Sequence, residues 1–131
     1  MMNELDQYLL KHQQNHEKSS DFVEYLYSLM DKYGFDDAAT LYNKANISRQ
    51  LYSSIISKKS HPSLNVCLKL ALTLKVNNHE CKYLLKKAGY TLSSSNEYAL
   101  IIRYCIEHKI YDIIEVNKLL ESYGYSDALI I

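Results

Sequence analysis

Apolar residues recur three or four positions apart along most of this chain, which is the spacing of one face of an α-helix. The apolar residues do not alternate with polar residues in the way that is typical of strands. The pattern predicts about seven helices and no strand, and therefore an all-α fold. The expected core positions between residues 22 and 72 are Phe22, Leu26, Leu29, Met30, Leu41, Ala45, Leu51, Tyr52, Ile55, Leu64, Cys67, Leu68, Ala71 and Leu72.

Residues that favour helix ends lie between these stripes. Asn46 is expected in a turn, because Asn tolerates left-handed backbone, and Ser48 is the expected N-cap of the next helix. Pro62 begins a further helix together with Ser63, and Gly34 suits a helix end. An acceptor side chain followed three residues later by Glu predicts a capping box. The predicted boxes pair Asp21 with Glu24, Asn77 with Glu80, Ser94 with Glu97, and Asp112 with Glu115.

The same pattern divides the chain into three parts. Residues 1–19 are expected to form an N-terminal helix or arm, with the helix over 3–17. Residues 20–92 form a compact helical domain, and residues 96–131 form a helical C-terminal extension packed on it. The polar stretch TLSSSN marks the join between these two parts.

Composition narrows the class of protein. The chain has 131 residues, with one proline and three glycines available for tight turns. No stretch is apolar for long enough to span a bilayer, and the first residues are too polar for a signal peptide. The cysteines, Cys67, Cys81 and Cys105, form an odd and widely spaced set, which argues against a disulfide framework. We therefore expect a cytoplasmic protein that is not associated with a membrane.

The net charge of zero conceals an uneven distribution. Residues 41–90 carry nine basic side chains against one acidic side chain, that of Glu80. Both flanks are acidic, because residues 1–40 have three bases and eight acids, and residues 91–131 have three bases and six acids. A basic middle of this kind suits a nucleic-acid surface, and it also suits a solvated helix face. Both interpretations stay open at this point.

The stretch DDAATLYNKANISRQLYSSIISKKSHPSLNVCLKLALTLKV reads as helix, turn, helix and, after Pro62, a further helix. From Asp37 to Val76 it resembles, without a gap, the helix-turn-helix of the Xre/Cro family. The fold of that family is the one found in the lambda repressor DNA-binding domain. The resemblance implies a lambda repressor-like bundle with additional N- and C-terminal helices. It also implies a bacterial or phage transcriptional regulator that binds double-stranded DNA as a homodimer.

A looser resemblance extends from Asp37 to Gly124 and includes AGYTLSSSNEYALIIRYCIEHKIYDIIEVNKLLESYG. This longer stretch is similar to a variant helical module of Gram-positive bacteria. Such modules occur alone or fused to enzymatic domains, including macro domains that handle ADP-ribose. Nothing in the present chain supplies the partner enzyme.

The second helix of a helix-turn-helix enters the major groove, and the residues of its first turns reach base edges. Arg49 suits guanine and Gln50 suits adenine, because each side chain can form two hydrogen bonds to that base. The base contacts implied by the resemblance are Ser48, Arg49, Gln50, Ser53 and Ser54. The implied phosphate contacts, at helix ends and in the following loop, are Lys44, Lys58, Lys59 and His61.

Three features depart from the family pattern and count against DNA. Asp36 and Asp37 stand where the preceding helix usually receives a phosphate, and their carboxylates would repel it. Tyr42 replaces a small residue, so it must either splay the two helices or turn aside. Ser54 and Ile56 occupy positions that are often charged or polar. The alternatives are a non-enzymatic adaptor that docks a partner protein on the same scaffold, and an RNA-binding role.

Candidate chemistry elsewhere in the chain is sparse. His61, Cys67 and residues 79–81 lack the paired spacing of a metal site. Cys105 and His108 lie one helical turn apart, but Cys105 falls on an apolar stripe and is expected in the core. The chain has no glycine-rich phosphate loop. We therefore predict no metal, no cofactor and no enzymatic activity.

The aromatic residues are unusual, with thirteen tyrosines, two phenylalanines and no tryptophan. Tyrosine combines a large contact area with a polar tip, which favours interfaces, although a core rimmed with tyrosines would look the same. The last four residues, ALII, are expected to dock, either within the chain or across a dimer. The predicted oligomer or partner interface comprises Tyr104, Tyr111, Tyr123, Tyr125, Leu129, Ile130 and Ile131.

Overall fold

The computed structural model describes residues 4–7, 22–93 and 95–131. All regular secondary structure in these ranges is helical, which confirms the predicted all-α class. Residues 4–7 are helical, and the rest of the predicted leading helix lies outside the described residues, as does Asp21 with its capping box. Seven longer helices follow: α1 (Phe22–Lys32), α2 (Ala38–Lys44), α3 (Arg49–Ile56), α4 (Leu64–Leu74), α5 (Asn78–Lys87), α6 (Glu97–Glu107) and α7 (Ile113–Ser122). Within these ranges no helix combines the length and the apolar character that crossing a membrane requires.

The helix α4 forms the centre of the fold. Eight of its eleven residues are buried, and it packs against α2 and α5. The neighbouring helix α5 also contacts α1 and α6, and α6 packs on α7. Burial confirms the predicted apolar stripes of α1, α2 and α4, with Leu64 half-buried at the edge of the last one.

The prediction that Leu51 faces inward is wrong. Its neighbours Tyr52 and Ile55 are buried, whereas Leu51 is 38% exposed. One residue turns an α-helix by about 100°, so Leu51 lies about 70° around α3 from the midpoint between the two buried side chains. The burial of Tyr52 and Ile55 therefore leaves Leu51 at the edge of the core.

Several helices begin at the predicted caps. The hydroxyl oxygens of Ser48 and Ser63 accept hydrogen bonds from backbone N–H groups three residues on, each at 3.1 Å. The capping box of Asn77 and Glu80 is present, because each side chain accepts from the other residue's backbone N–H, at 2.8 and 3.0 Å. These starts were predictable because a cap depends on neighbours in the sequence.

Two helix starts differ from the prediction. The N-cap of α6 is Asn96, whose Oδ1 accepts from the Tyr98 N–H at 2.9 Å, and Ser94 lies outside the described residues. Asp112 caps α7 alone, by accepting from the Ile114 N–H at 2.9 Å. The predicted partner in that box, Glu115, instead lies 3.5 Å from the ammonium of Lys118.

The turn between α2 and α3 is held at several points. Asn46 has a φ of 55°, which confirms the predicted left-handed conformation. The ammonium of Lys69 on α4 donates a hydrogen bond to the Asn46 carbonyl oxygen at 3.1 Å. The Ile47 N–H donates to the Tyr42 carbonyl oxygen at 2.8 Å, and the Ile47 side chain is buried. These contacts set the direction in which α3 leaves the turn.

A buried carboxylate joins α1 to α5. Glu80 is only 6% exposed and accepts hydrogen bonds from the Lys32 ammonium at 2.6 Å and from the Tyr33 hydroxyl. Burial acts to raise the pKa of this carboxyl, but the hydrogen bonds from Lys32, Tyr33 and the Asn77 backbone hold the pKa below its ordinary value of 4.5. Lys69 is also buried, so the basic middle of the sequence has fewer surface charges than its composition suggests.

The extension buries its own apolar stripe. Ile102, Cys105 and Val116 are fully buried, which confirms that Cys105 belongs to the core. Burial raises the pKa of the Cys105 thiol, so the thiolate that nucleophilic chemistry needs is disfavoured. Ile130 is 1% exposed and joins the same hydrophobic cluster, and Leu129 packs against it, so the predicted docking occurs within the chain at these two residues, while Ala128 and Ile131 stay exposed.

Candidate nucleic-acid interface

The helix α3 presents one exposed polar ridge. Arg49, Ser53 and Ser57 are exposed and lie four positions apart, so their side chains fall on the same side of the helix. Gln50 is exposed beside this ridge, and Ser54 is half-buried. The sequence of α3, RQLYSSII, contains no acidic residue. The ridge therefore offers hydrogen-bond donors and one positive charge without a competing carboxylate on the same helix.

Residues of the ridge line two shallow depressions. The first is lined by Arg49, Gln50, Ser53, Ser54, Ser57 and Lys59. The second is lined by Tyr42, Arg49, Tyr52, Ser53, Ile56 and Ser57. Five of the predicted DNA contacts, namely Arg49, Gln50, Ser53, Ser54 and Lys59, thus meet at the first depression. Ser57 and Tyr42 were not predicted as part of this surface, Tyr52 was predicted only as a core residue, and Ile56 was expected there as an apolar residue at a position that is often charged or polar.

The end of α3 places two lysines beside the ridge. The Lys58 N–H donates to the Ile55 carbonyl at 3.0 Å, and the Lys59 N–H donates to the Ser54 carbonyl at 2.9 Å. This pair of hydrogen bonds is a Schellman motif, in which the first residue beyond the cap is left-handed. Lys58 occupies that position with a φ of 63°, and both lysine side chains are exposed.

The remaining predicted contacts are placed differently. The hydroxyl of Ser48 is occupied as the N-cap of α3. Lys44 lies at the end of α2 and lines a separate cavity beside the extension. His61 is exposed and lines a third cavity together with Lys58, and its ring centre lies 6.0 Å from that of Tyr90. Lys44 is therefore the predicted contact that the structure separates most clearly from the ridge.

Asp37 caps the start of α2. Asp37 accepts from the Ala39 N–H at 3.0 Å and from the Thr40 hydroxyl at 3.3 Å. Asp36 beside it is exposed. The N–H groups at a helix start are a common binding site for phosphate, so a carboxylate that already accepts from them competes with a phosphate.

Tyr42 turns aside and packs on α3. Its ring centre lies 5.3 Å from that of Tyr52, with the two ring planes at 43°. Burial raises the pKa of the Tyr52 hydroxyl to about 12, and that hydroxyl lies 3.6 Å from the sulfur of Met30. Of the two outcomes expected for Tyr42, splaying the helices or turning aside, the structure shows the second, and Tyr42 forms one wall of the second depression.

The basic residues of 41–90 fall into three surface groups. Arg49, Lys58 and Lys59 surround the end and ridge of α3, and Lys44 and Lys75 line the cavity beside the extension. The third group lies on α5 and consists of Lys82, Lys86 and Lys87. One arginine and two lysines thus carry the positive charge on α3 and its end, and Lys87 of the third group lines one cavity together with Lys58 and His61.

The predicted interface residues of the extension divide into exposed and anchored side chains. Tyr104, Tyr123 and Ile131 are exposed. Tyr111 is half-buried and donates to the Val76 carbonyl at 3.2 Å. Tyr125 and Leu129 are also half-buried and pack against the core. The ring of Tyr125 lies edge-on to that of Tyr98. The buried Ile130 is not available to a partner while it stays in the core.

Comparisons with protein-family models, with curated proteins and with solved structures found no match to this chain. In the described ranges no group of three or more His, Cys, Asp or Glu side chains is placed to hold a metal ion. A functional assignment therefore rests on the geometry of the surface around α3, where five of the predicted contacts meet.

Proposed function

We propose that this protein is a cytoplasmic, DNA-binding transcriptional regulator of a bacterium or phage. In this proposal α2, the Asn46 turn and α3 form a helix-turn-helix of the lambda repressor type, as the sequence resemblance implies. The observation that carries the proposal is the exposed ridge of Arg49, Ser53 and Ser57 on a helix without an acidic residue. A helix in this position lies in the major groove with its first turns at the base edges.

The side chains along the ridge suit base recognition. Arg49 can donate two hydrogen bonds to the O6 and N7 atoms of guanine, and Gln50 can pair with the N6 and N7 atoms of adenine. Each such pair contributes about 1–3 kcal/mol of discrimination against other bases. Ser53 is a donor and an acceptor one turn further along, so it can contact either kind of base or a phosphate.

Phosphate contacts in this proposal come from the C-terminal end of α3. Lys58 and Lys59 are exposed there, and His61 follows in the same loop. The start of α2 contributes little, because the Asp37 carboxylate already accepts hydrogen bonds there. DNA is therefore held mainly from one end of α3, and we expect fewer phosphate contacts than a helix-turn-helix with both ends free would make.

A regulator of this type binds two half-sites as a dimer. The extension offers exposed apolar surface for such a contact at Tyr104, Ile114 and Tyr123. Apolar and aromatic side chains of this kind are enriched at interfaces. We therefore assign dimer contacts to the extension and DNA contacts to α3.

The test is a binding titration with a pool of random duplexes and with the DNA upstream of the gene. Wild-type protein is expected to bind with an affinity that falls steeply with salt. Arg49→Ala should weaken binding to a selected duplex by about tenfold or more, through lost base recognition. Replacing both Lys58 and Lys59 with Ala should reduce the salt dependence by about two phosphate contacts.

The matched control is Lys82→Ala, which removes one exposed charge from α5, away from the ridge. This variant should bind DNA like the wild type. Absence of salt-sensitive binding to every duplex would refute the proposal. Equal losses in Lys82→Ala and Arg49→Ala would show that only net charge matters and that α3 does not read bases.

A second candidate function is that of a non-enzymatic adaptor that docks a partner protein. The observation in its favour is the pair of exposed tyrosines on the extension, Tyr104 and Tyr123, together with the closed start of α2. This function predicts a co-purifying protein that is lost in a Tyr104→Ala, Tyr123→Ala double variant and kept in Arg49→Ala. Affinity purification of the three forms from the native host separates the two candidates.

A further inference from the structure

A cavity of about 780 Å³ lies where the ends of α2 and α4 meet the loop between α6 and α7. Ligand pockets in proteins usually have volumes of about 300–1,000 Å³, so this cavity is large enough for a small organic molecule. Part of its wall is apolar and belongs to the hydrophobic core or packs against it. The apolar wall consists of Leu72, Ile110, Ile113 and Leu119.

Three lysines from three different helix ends line the same cavity. Lys44 is the last residue of α2, Lys75 directly follows α4, and Lys109 lies two residues beyond the end of α6. All three are exposed, and none of them forms an ion pair with a carboxylate in the described ranges. The Lys44 ammonium lies 5.7 Å from the centre of the Phe35 ring, which is a cation–π contact and supplies no negative charge.

Two acidic residues also line the cavity, and both have other partners on α7. Asp112 caps this helix by accepting from the Ile114 N–H at 2.9 Å, and Glu115 lies 3.5 Å from the ammonium of Lys118. The three lysine charges at the cavity are therefore not matched by a carboxylate of their own. A ligand with two or more negative charges would match them.

Two of these lysines occupy a backbone conformation that is unfavourable for lysine. Lys75 and Lys109 are left-handed, with φ values of 60° and 57°. The ends of α1, α5 and α7 carry glycine in the same conformation, at Gly34, Gly89 and Gly124. Glycine adopts this conformation without strain, so a helix end alone does not call for lysine. Residues held in such conformations are concentrated at ligand sites and other functional sites.

We propose that this cavity binds a small organic anion that carries two or more negative charges on an apolar body. Lys44, Lys75 and Lys109 receive the phosphate or carboxylate groups, and the apolar wall receives the body of the ligand. An ammonium binds either kind of group as a point charge. A bound anion would also link α2 to the extension, because Lys44 and Lys109 belong to these two parts. The proposal does not depend on DNA binding, because no residue of the ridge lines the cavity.

The experiment titrates the full chain at low salt with 1-naphthyl phosphate and with 2,6-naphthalenedicarboxylate, followed by calorimetry. At least one of them should bind about tenfold more tightly than inorganic phosphate, which lacks the body, and than 1-naphthol, which lacks the charge. The tighter of the two identifies phosphate or carboxylate as the preferred group. At about 100 times its dissociation constant, that compound should raise the midpoint of thermal unfolding by at least about 5 °C.

Glycine variants separate ligand binding from a purely structural role, since a positive charge at a helix end also interacts favourably with the helix dipole. Lys75→Gly and Lys109→Gly each remove an ammonium and relieve backbone strain, so the unliganded variants should stay folded at the wild-type midpoint or above. Each should bind the tighter naphthalene compound about tenfold more weakly. The matched control is Lys58→Gly, which relieves the same strain at the end of α3, outside the cavity, and should bind like the wild type.

Two further measurements locate the ligand. The backbone amide NMR signals of Lys75 and Lys109 should shift on titration, and that of Lys58 should not. Glu115→Gln removes a carboxylate from the cavity wall and should tighten binding of either anion. The proposal is overturned if neither naphthalene anion binds more tightly than inorganic phosphate and 1-naphthol. It is also overturned if Lys75→Gly and Lys109→Gly bind the anion as tightly as Lys58→Gly does.

Discussion

The ammonium of Lys69 lies 3.1 Å from the backbone carbonyl oxygen of Asn46 and donates a hydrogen bond to it. Lys69 comes from the central helix α4, and Asn46 is the left-handed residue of the turn that precedes α3. A lysine that counts toward the basic middle of the sequence is therefore an internal support for the turn. Burial lowers the pKa of this ammonium, as expected for a charged group that has lost much of its water.

Replacing Lys69 with Met should destabilise the turn. Methionine keeps the apolar stem but removes the donor, so the Asn46 carbonyl loses its charged partner. We expect the free energy of unfolding to fall by about 1.5–3 kcal/mol, the usual range for a hydrogen bond to a charged group. Urea unfolding measures this change. Lys82→Met, at an exposed position on α5, should stay within about 0.5 kcal/mol of the wild type. Equal stability of the two variants would contradict the structural role of Lys69.

The carboxylate of Glu80 predicts a loss of stability in acid. Its folded-state pKa lies below the ordinary 4.5, so its contribution is fully present above about pH 4.5 and is lost as the pH falls through the folded-state value. Glu80→Gln should reduce stability at pH 7 and should flatten the decline between pH 5 and 3. Chemical unfolding at a series of pH values tests this expectation. The exposed residue Glu121, changed to Gln, should leave the wild-type profile intact, and an unchanged acid profile in Glu80→Gln would rule out the proposed linkage.

Replacing the two lysines after α3 with glycine, one at a time, should change the stability of the protein in opposite directions. Lys58 has a φ of 63°, where glycine is less strained than lysine, so Lys58→Gly is expected to raise stability by up to about 1 kcal/mol. Lys59 is not in this conformation, so Lys59→Gly should lower stability through added freedom of the unfolded chain. Thermal unfolding distinguishes the two. If both lysines contact phosphates, each variant should lower the salt dependence of DNA binding by about one contact, whatever its effect on stability.

Because two thiols are buried, we expect the protein to lose stability at alkaline pH. Burial raises the pKa of Cys67 and of Cys81 from 9.0 to about 12. The unfolded chain releases these protons first, so the associated stability is present below pH 9 and is lost as the pH rises toward 12. A Cys67→Ala, Cys81→Ala double variant should show a shallower decline between pH 9 and 11 under reducing conditions. A decline as steep as that of the wild type would show that other groups, such as the buried tyrosines, dominate.

Local features of this protein were largely predictable from its sequence. The helical class, the caps at Ser48 and Ser63, the capping box of Asn77 and the left-handed Asn46 all follow from residues close to one another in the chain. Such features depend on hydrogen bonds within one or two turns, so they do not require knowledge of distant partners. The grouping of Arg49 with Ser53 likewise follows from helical spacing alone.

Only the tertiary structure decided which polar groups are internal and which surfaces are open. Lys69 and Glu80 are buried by residues of other helices. Likewise, Tyr42 packs on Tyr52 of the next helix, and Asn117 forms a hydrogen bond to the backbone of Ile130, beyond its own helix. Nothing in the spacing of a lysine distinguishes a surface charge from a support for a neighbouring carbonyl. The sequence by itself determined the helices, their ends and a candidate reading ridge on α3. The packing of those helices determined which side chains surround the ridge and which are internal, because burial and long-range hydrogen bonds arise only when the elements meet.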